Sequence, residues 1–324
     1  MTDQPAIVIG VDAGGTKTQA LLLREDGRVL GWGIGGPGNP TRVPPDRLRV
    51  SLVEAITAVL SSADSPAADT VAAVCLGVAG GRGYRQLIRD TVVQLGISGV
   101  ITVVSDTDIA LWGAISKSYG VVVIAGTGSS AVGAGLDGEI AKAGGRGYLI
   151  GDEGSAYDIG RMGIVAALKA EDGRGPATAL LDQLMQHFQL DDVEQIIPTI
   201  YDPSKDSGRT LISGFAPQVV ETAAEGDQVA LHILNHAGSE LGRSAIAVAR
   251  KLDLCDREFE VALVGGVFKA GELVISPLRA QVLRAAPMAD VFVSNTPPAL
   301  GAARLALQAI GKDLPRGTPI SRSA

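Results

Sequence analysis

Ile7-Val8-Ile9-Gly10-Val11-Asp12-Ala13-Gly14-Gly15-Thr16-Lys17-Thr18, continued by Gln19-Ala20-Leu21-Leu22-Leu23, is the stretch from which the rest of the chain is read. The β-branched run from Ile7 to Val11 reads as a buried strand. A second apolar run resumes at Thr18, so the chain turns back and pairs with the first. Gly14 and Gly15 can take the positive φ of a tight turn, and without Cβ they let a ligand come close. An ordinary hairpin with Asp12 capping its turn would explain the glycines alone. An acid, a hydroxyl and a cation within six positions point further, to a phosphate and Mg²⁺ site. It is not a Walker loop, because no helix and no Gly-Lys-Ser/Thr ending follow the turn.

The pattern recurs. Val121 to Ala125 is a strand ending in Gly126-Thr127-Gly128-Ser129-Ser130; Ala131 to Leu136 returns, and Asp137-Gly138 turns into Glu139-Ile140-Ala141. At the N-terminal copy the same succession of strand, glycine turn, strand and Asp-Gly turn ends in a strand from Arg28 to Gly33. Such duplication implies two like domains facing each other over a cleft, each offering one glycine hairpin to the same phosphate chain.

Between the copies the spacing predicts a helix over 47–60, a polar linker over 61–70, a strand over 71–78, a helix over 84–95, a strand over 100–104 and a helix over 109–116. After the second hairpin, helices are expected over 156–170, 180–190, 210–225 and 229–251, a strand over 260–264, a helix over 269–285, a strand over 290–294 and a last helix over 299–310. The domains are therefore drawn as 1–117 and 118–311, with the last helix a candidate to pack back on the first domain and 312–324 a flexible tail.

Composition sets limits. The 324 residues suffice for two cores, and 46% hydrophobic against 19% charged residues describe a well-buried chain. A net charge of −7 and 4% aromatics give neither a basic footprint nor stacking platforms for nucleic acid. Phosphates would then be held by backbone N–H groups and metal. Cys75 and Cys255 lie in apolar surroundings, which suits free thiols and a reducing compartment. No apolar run reaches the ~20 residues of a membrane span, and the polar Met1 to Pro5 lacks a signal-peptide pattern. A cytoplasmic protein without membrane or nucleic-acid partners is expected.

Asp106 stands at the carboxyl edge of a strand, where open α/β sheets place ligands. It could simply start the next helix, or act as the base that orients and deprotonates a hydroxyl receiving phosphate. Asp108 suits the helix dipole. Asp152 sits among bare glycines, as a small polar ligand would need, although it too precedes a helix. Asn39 lies in a Pro/Gly loop and is a turn residue by default. Thr16 is a better phosphate contact than Lys17, whose chain can point to solvent. The spacing Gly133, Gly135, Gly138 imitates a dinucleotide fingerprint, but a strand follows it. His232 and His236, four apart, lack the glutamate of a zinc protease.

Taken together these residues resemble the sugar kinase, actin and heat-shock chaperone ATPase superfamily, and within it the N-acetylglucosamine kinases and their relatives, the activator ATPases of acyl-CoA dehydratases. The most specific piece is Gly144-Gly145-Arg146-Gly147 through Gly151-Asp152-Glu153-Gly154-Ser155-Ala156-Tyr157. The resemblance implies an α/β fold of two duplicated actin/ribonuclease-H-like domains, each with a mixed five-stranded sheet and flanking helices, around an ATP cleft. It implies ATP and Mg²⁺ as cofactors, the metal near Asp12 through water. Gly14, Gly15, Thr16, Lys17, Gly126, Thr127 and Gly128 would take the phosphates, while Gly214, Gly265 and Gly266 would line the adenosine pocket. Asp106 would be the base, and Asn39, Gly145, Arg146, Gly147 and Asp152 would contact the sugar, with a homodimer as the assembly. The expected reaction is phosphorylation of the 6-hydroxyl of N-acetylglucosamine. The mammalian pattern has Trp in place of Arg146, so a charged donor replaces a stacking wall. Glucosamine, N-acetylmannosamine, N-acetylmuramic acid and glucose thereby join as acceptors. An activator ATPase is the alternative, which two distant cysteines suit poorly. A kinase-like repressor would need a helix-turn-helix segment ahead of the first strand.

Overall fold

The computed structural model describes residues 5–61, 67–202, 208–314 and 321–322. It divides into two compact units, 1–117 with 295–324 and 118–294. The first holds β1 (Ile7–Ala13), β2 (Thr18–Arg24), β3 (Arg28–Gly35), α1 (Pro45–Leu60), β4 (Ala73–Val78), α2 (Arg85–Gln94), β5 (Val100–Val104) and α3 (Asp106–Ala114). The second begins with β6 (Gly120–Ala125), β7 (Ser129–Ala134), β8 (Ile140–Gly144), α4 (Ala156–Glu171), α5 (Leu180–Phe188) and α6 (Ile196–Tyr201). It continues with α7 (Gly208–Gly214), α8 (Ala216–Ala224), α9 (Gln228–Lys251), β9 (Phe259–Val264), α10 (Glu272–Ala285) and β10 (Ala289–Val293). The chain then returns to the first unit with α11 (Pro298–Gln308) and β11 (Ser321–Arg322).

The two sheets share one topology. In the first the order is β3-β2-β1-β4-β5, and in the second β8-β7-β6-β9-β10. Each has an antiparallel three-strand meander and two strands added in parallel. The expected five strands are present in each, and β11 adds a sixth to the first by pairing parallel to Arg28 and Val29. The tail was expected to be flexible throughout; two of its residues are instead in a sheet. Part of that tail, 315–320 and 323–324, and part of the polar linker, 62–66, lie outside the described residues.

The period of two decides which layer each strand side chain joins. In the first unit Ile9, Val11, Ala20 and Leu22 pack with Leu52 and Ile56 of α1. Their alternate neighbours Val8, Leu21 and Leu23 pack with Leu300, Ala303 and Leu307 of α11. α11 can lie this close because its path is lined by residues without bulk. A Cβ on Gly10 would stand 2.1 Å from the carbonyl oxygen of Ala299, and one on Gly301 would stand 1.9 Å from that of Ile109. Cys75 is buried on this face; burial, then the nearby Asp108 charge, pushes its thiol up to about 12, so it is an inert core residue. Both cysteines are free.

Four expectations are corrected. The helix expected over 109–116 begins at Asp106, because Ser105 caps it: its hydroxyl accepts from the Asp108 N–H at 3.2 Å while the Asp108 carboxylate accepts from the Ser105 N–H. The helix expected over 210–225 is two, α7 and α8, broken at Phe215. Pro217, at the second position of α8, has no N–H to continue the α7 ladder. The helix expected from Lys269 starts at Glu272, since Gly271 at φ 62° ends a preceding 3-10 turn over Gly266–Ala270. α6, within a stretch read as turns, is a short helix.

The contact of α11 with α3 makes a stability prediction. Gly301→Ala places a methyl against backbone that has no room to move, and is expected to lower unfolding stability by about 3 kcal/mol. The urea midpoint checks it: a clear fall at constant slope is expected, and an unchanged midpoint contradicts the packing.

Candidate active site

In the first unit the hairpin turn is residues 14–17, closed by the Gly14 N–H donating to the Lys17 carbonyl at 3.0 Å. The Gly38 N–H donates to the Gly14 carbonyl at 2.9 Å, which ties the Pro/Gly loop to the turn. Neither Gly14 nor Gly15 has a positive φ, so the left-handed conformation expected of them is not what the turn uses. A Cβ on Gly15 would stand 2.9 Å from the tip of the Arg42 side chain, a flexible neighbour that can give way. Thr16 and Lys17 are exposed at the tip.

Asp12 is the penultimate residue of β1, and Asp106 follows β5 two strands away at the same sheet edge. They feel each other. Burial first, then the Asp106 charge, raise the Asp12 carboxyl to about 6, and Lys17 only partly offsets this. Two carboxylates near each other at a partly dehydrated edge are a donor set that a divalent cation favours. The donor set thus fits Mg²⁺ held at Asp12. Among the described residues no cluster of three or more His, Cys, Asp or Glu forms a cage.

Asn39 is in the same unit. Its Oδ1 accepts from the N–H and hydroxyl of Thr41 at 2.9 and 2.7 Å, so its Nδ2 is the group suited to a ligand hydroxyl. Gly80 adjoins it: a Cβ there would lie 3.8 Å from Asn39 Oδ1.

In the second unit the turn is one residue shorter, 126–128, with Gly126 N–H donating to the Gly128 carbonyl at 2.9 Å. Three segments are tied to it. The Ala156 N–H, opening α4, donates to the Gly126 carbonyl at 2.8 Å, and the Gly145 N–H donates to the Ser129 carbonyl at 3.0 Å. The Ser129 hydroxyl donates to the Glu153 carbonyl at 2.7 Å. A Cβ on Gly128 would meet Asp152 Oδ2 at 2.7 Å, and one on Gly265, at φ 125°, would meet the Ala125 carbonyl at 2.2 Å. So Gly126, Thr127, Gly128, Gly145, Asp152, Gly265 and the adjoining Gly266 come together. Arg146 is exposed, beside Gly147 at φ 90°. Gly214 ends α7, its vacant Cβ position 3.9 Å from His187 of α5.

Asp152 is the strained member. It is 4% exposed and holds φ at 62°, a region non-glycine residues rarely occupy. Its carboxylate is met by Arg209, whose Nη2 donates to Oδ2 at 3.3 Å. The Arg209 guanidinium also lies over the Tyr148 ring, 5.1 Å from its centroid. Sequence reasoning missed Arg209: it is 57 residues from its partner and in no motif.

The sheet orders and the two hairpin sites define the actin-like ATPase fold. Within that class the chain belongs to the BadF/BadG/BcrA/BcrD ATPase family, whose model matches residues 9–306. It is 36% identical over 264 residues to the N-acetylmuramic acid/N-acetylglucosamine kinase of Clostridium acetobutylicum, covering 80% of this chain and 85% of that one. It is 31% identical over 312 residues to the N-acetyl-D-glucosamine kinase of Dictyostelium discoideum, covering 93% and 98%. Among solved structures, a provisionally named N-acetylglucosamine kinase from Chromobacterium violaceum matches with a TM-score of 0.73 at 27% identity, covering 92% of this chain and 98% of that one. A ROK family glucokinase from Streptomyces griseus, solved with glucose and AMPPNP, shares the fold at a TM-score of 0.57 and 20% identity, covering 94% and 100%. Among the described residues no helix is long and apolar enough to cross a membrane.

The raised Asp12 carboxyl carries a pH prediction. Unfolded, it titrates near 3.8, and folded near 6, so the native state binds more protons in between. Stability therefore falls as pH rises through that window, and above it the ionised form costs up to about 3 kcal/mol. Asp12→Asn in metal-free buffer is expected to melt higher than wild type at about pH 7.5 but not at about pH 4. Equal melting differences at both pH values contradict the assignment.

Proposed function

We propose that the protein is an ATP-dependent amino-sugar kinase that phosphorylates the 6-hydroxyl of N-acetylglucosamine. The observation that carries the reading is the coupling of Asp12 to Asp106 at one sheet edge, in a chain 36% and 31% identical to two amino-sugar kinases. Asn39 and Asp106 orient the acceptor in the first unit; Gly145, Arg146, Gly147 and Asp152 contact the sugar from the second. The turns at 14–17 and 126–128 offer N–H groups and the Thr16 and Thr127 hydroxyls to the ATP phosphates, and Gly214, Gly265 and Gly266 line the adenosine. Mg²⁺ at Asp12, when bound, neutralises charge on the phosphate oxygens.

Asp106 takes the proton of the 6-hydroxyl as the sugar oxygen bonds to the γ-phosphorus and the bond to the β-phosphate oxygen breaks, releasing ADP. Arg209 acts through Asp152, holding its carboxylate in a conformation the backbone alone disfavours. A homodimer in the cytoplasm is part of the proposal.

Two variants test it. Asp106→Ala is expected to reduce kcat at least about a hundredfold with ATP affinity nearly unchanged. A coupled ADP-release assay over N-acetylglucosamine, glucosamine, N-acetylmannosamine and glucose reads this; near-normal turnover removes Asp106 from its role. Arg209→Ala leaves a buried carboxylate unpaired, and the sugar KM is expected to rise about tenfold while the ATP KM stays. An equal change in both KM values would make Arg209 a general stability residue.

A further inference from the structure

In the second unit α9 and α10 meet backbone to backbone at one level. A Cβ on Gly238 would stand 2.2 Å from the carbonyl oxygen of Val274, and one on Gly242 would stand 2.8 Å from the Gln281 Cβ. Next to this contact the two helices share a cavity of about 230 Å³, whose lining includes Ile246, Gln281, Ala285, Arg243, Arg250 and Arg284. None of the residues assigned to ATP or to the sugar lines it.

Among the described residues three guanidiniums open on this hollow and no acid does, in a chain whose net charge is −7. Arg243 pairs with Glu240, one turn back on α9. Among the described residues Arg250 and Arg284 have no ion pair. Asp253 and Asp256, which follow α9, act together with Arg250 on the Cys255 thiol, yet neither is its ion-pair partner. Arg250 and Arg284 stand in the last turns of their helices, and the C-terminal dipole accounts for either of them alone. It does not account for Arg243 in the body of α9, nor for cations from two helices opening on one space. Three guanidiniums without a carboxylate in the same lining are a donor set that an anion favours.

We propose that this hollow is a binding site for a phosphate dianion, free or as the monoester of a small polyol, held by Arg243, Arg250 and Arg284. The site stands apart from the proposed catalytic residues and does not rest on the kinase reading. Guanidinium forks present paired N–H donors that match phosphate oxygens. The Gln281 amide supplies both a donor and an acceptor for a neighbouring hydroxyl, while Ile246 and Ala285 give an apolar wall. The volume is below the roughly 300–1,000 Å³ of drug-sized sites, which suits phosphate or a small monoester rather than a nucleotide. Because the three arginines are exposed, each contributes modestly, and removing two weakens binding about tenfold.

Calorimetry on the full chain at about pH 8, where phosphate monoesters are dianions, tests it with two probes, inorganic phosphate and glucose 6-phosphate. Mg²⁺, a non-hydrolysable ATP analogue and N-acetylglucosamine are present in excess, so that the proposed catalytic site is filled. Wild type is expected to bind a probe, and the tighter of the two identifies the ligand as free phosphate or as a monoester. The Arg250→Gln, Arg284→Gln double variant is expected to bind it about tenfold more weakly, with melting unchanged in phosphate-free buffer. Arg243→Gln, a single change at the third corner, is expected to weaken it as well, so the test does not hang on one variant. Arg279→Gln, on α10 but outside the lining, is expected to keep the wild-type affinity. Binding of neither probe by wild type, or an affinity unchanged in the double variant and in Arg243→Gln, overturns the site and leaves the kinase reading untouched.

Discussion

Two aspartates that the sheet forces together set the terms for this molecule. β1, β4 and β5 run parallel, so the residues that leave their carboxyl ends share one edge. Asp12 and Asp106 arrive there with partly dehydrated negative charge, and the strain is visible in the raised carboxyl of Asp12. Such an edge is unfavourable in isolation and favourable with a cation and a hydroxyl beside it. In the proposed reaction this is the edge where phosphoryl transfer would use negative charge held ready. The neighbouring parts follow that constraint: Lys17 offsets some of the repulsion, and the Ser105 cap fixes where the helix bearing Asp106 begins.

The second unit solves a different problem, which is to hold an acid in an awkward backbone conformation. Hydrogen bonds bind the 126–128 turn, Gly145 and the start of α4 into one body. Asp152 stands inside it with a left-handed backbone, kept there by Arg209. Gly128 is bare where a Cβ would stand 2.7 Å from that carboxylate, while Gly144, Gly145, Gly147 and Gly154 hold positive φ that favours glycine.

Much of this could be read in the sequence, for reasons that are local. The hairpins at β1–β2 and β6–β7 announce themselves through β-branched runs interrupted by glycine, and the repeat of that pattern gives the duplicated fold. Asp106 stood out as a candidate because it follows a strand end, and Asp152 because it sits among bare glycines just ahead of a helix. What escaped was set by distant contacts. The break between α7 and α8 turns on Pro217 against a buried Phe215, where periodicity alone runs on. Gly14 and Gly15 signal a left-handed turn by residue type, yet neither has a positive φ. Arg209 has no motif; only folding sets it against Asp152.

The crowding of Asp12 by Asp106 is open to direct measurement by carbon-13 NMR titration of the Asp12 carboxyl in metal-free wild type and in Asp106→Asn. An apparent pKa of about 6 is predicted in wild type. A lower one, still above the ordinary carboxylate value, is predicted in the variant, because burial persists when the neighbouring charge is removed. Titration at the ordinary value in wild type, unmoved by the Asp106 substitution, would contradict this picture of the site.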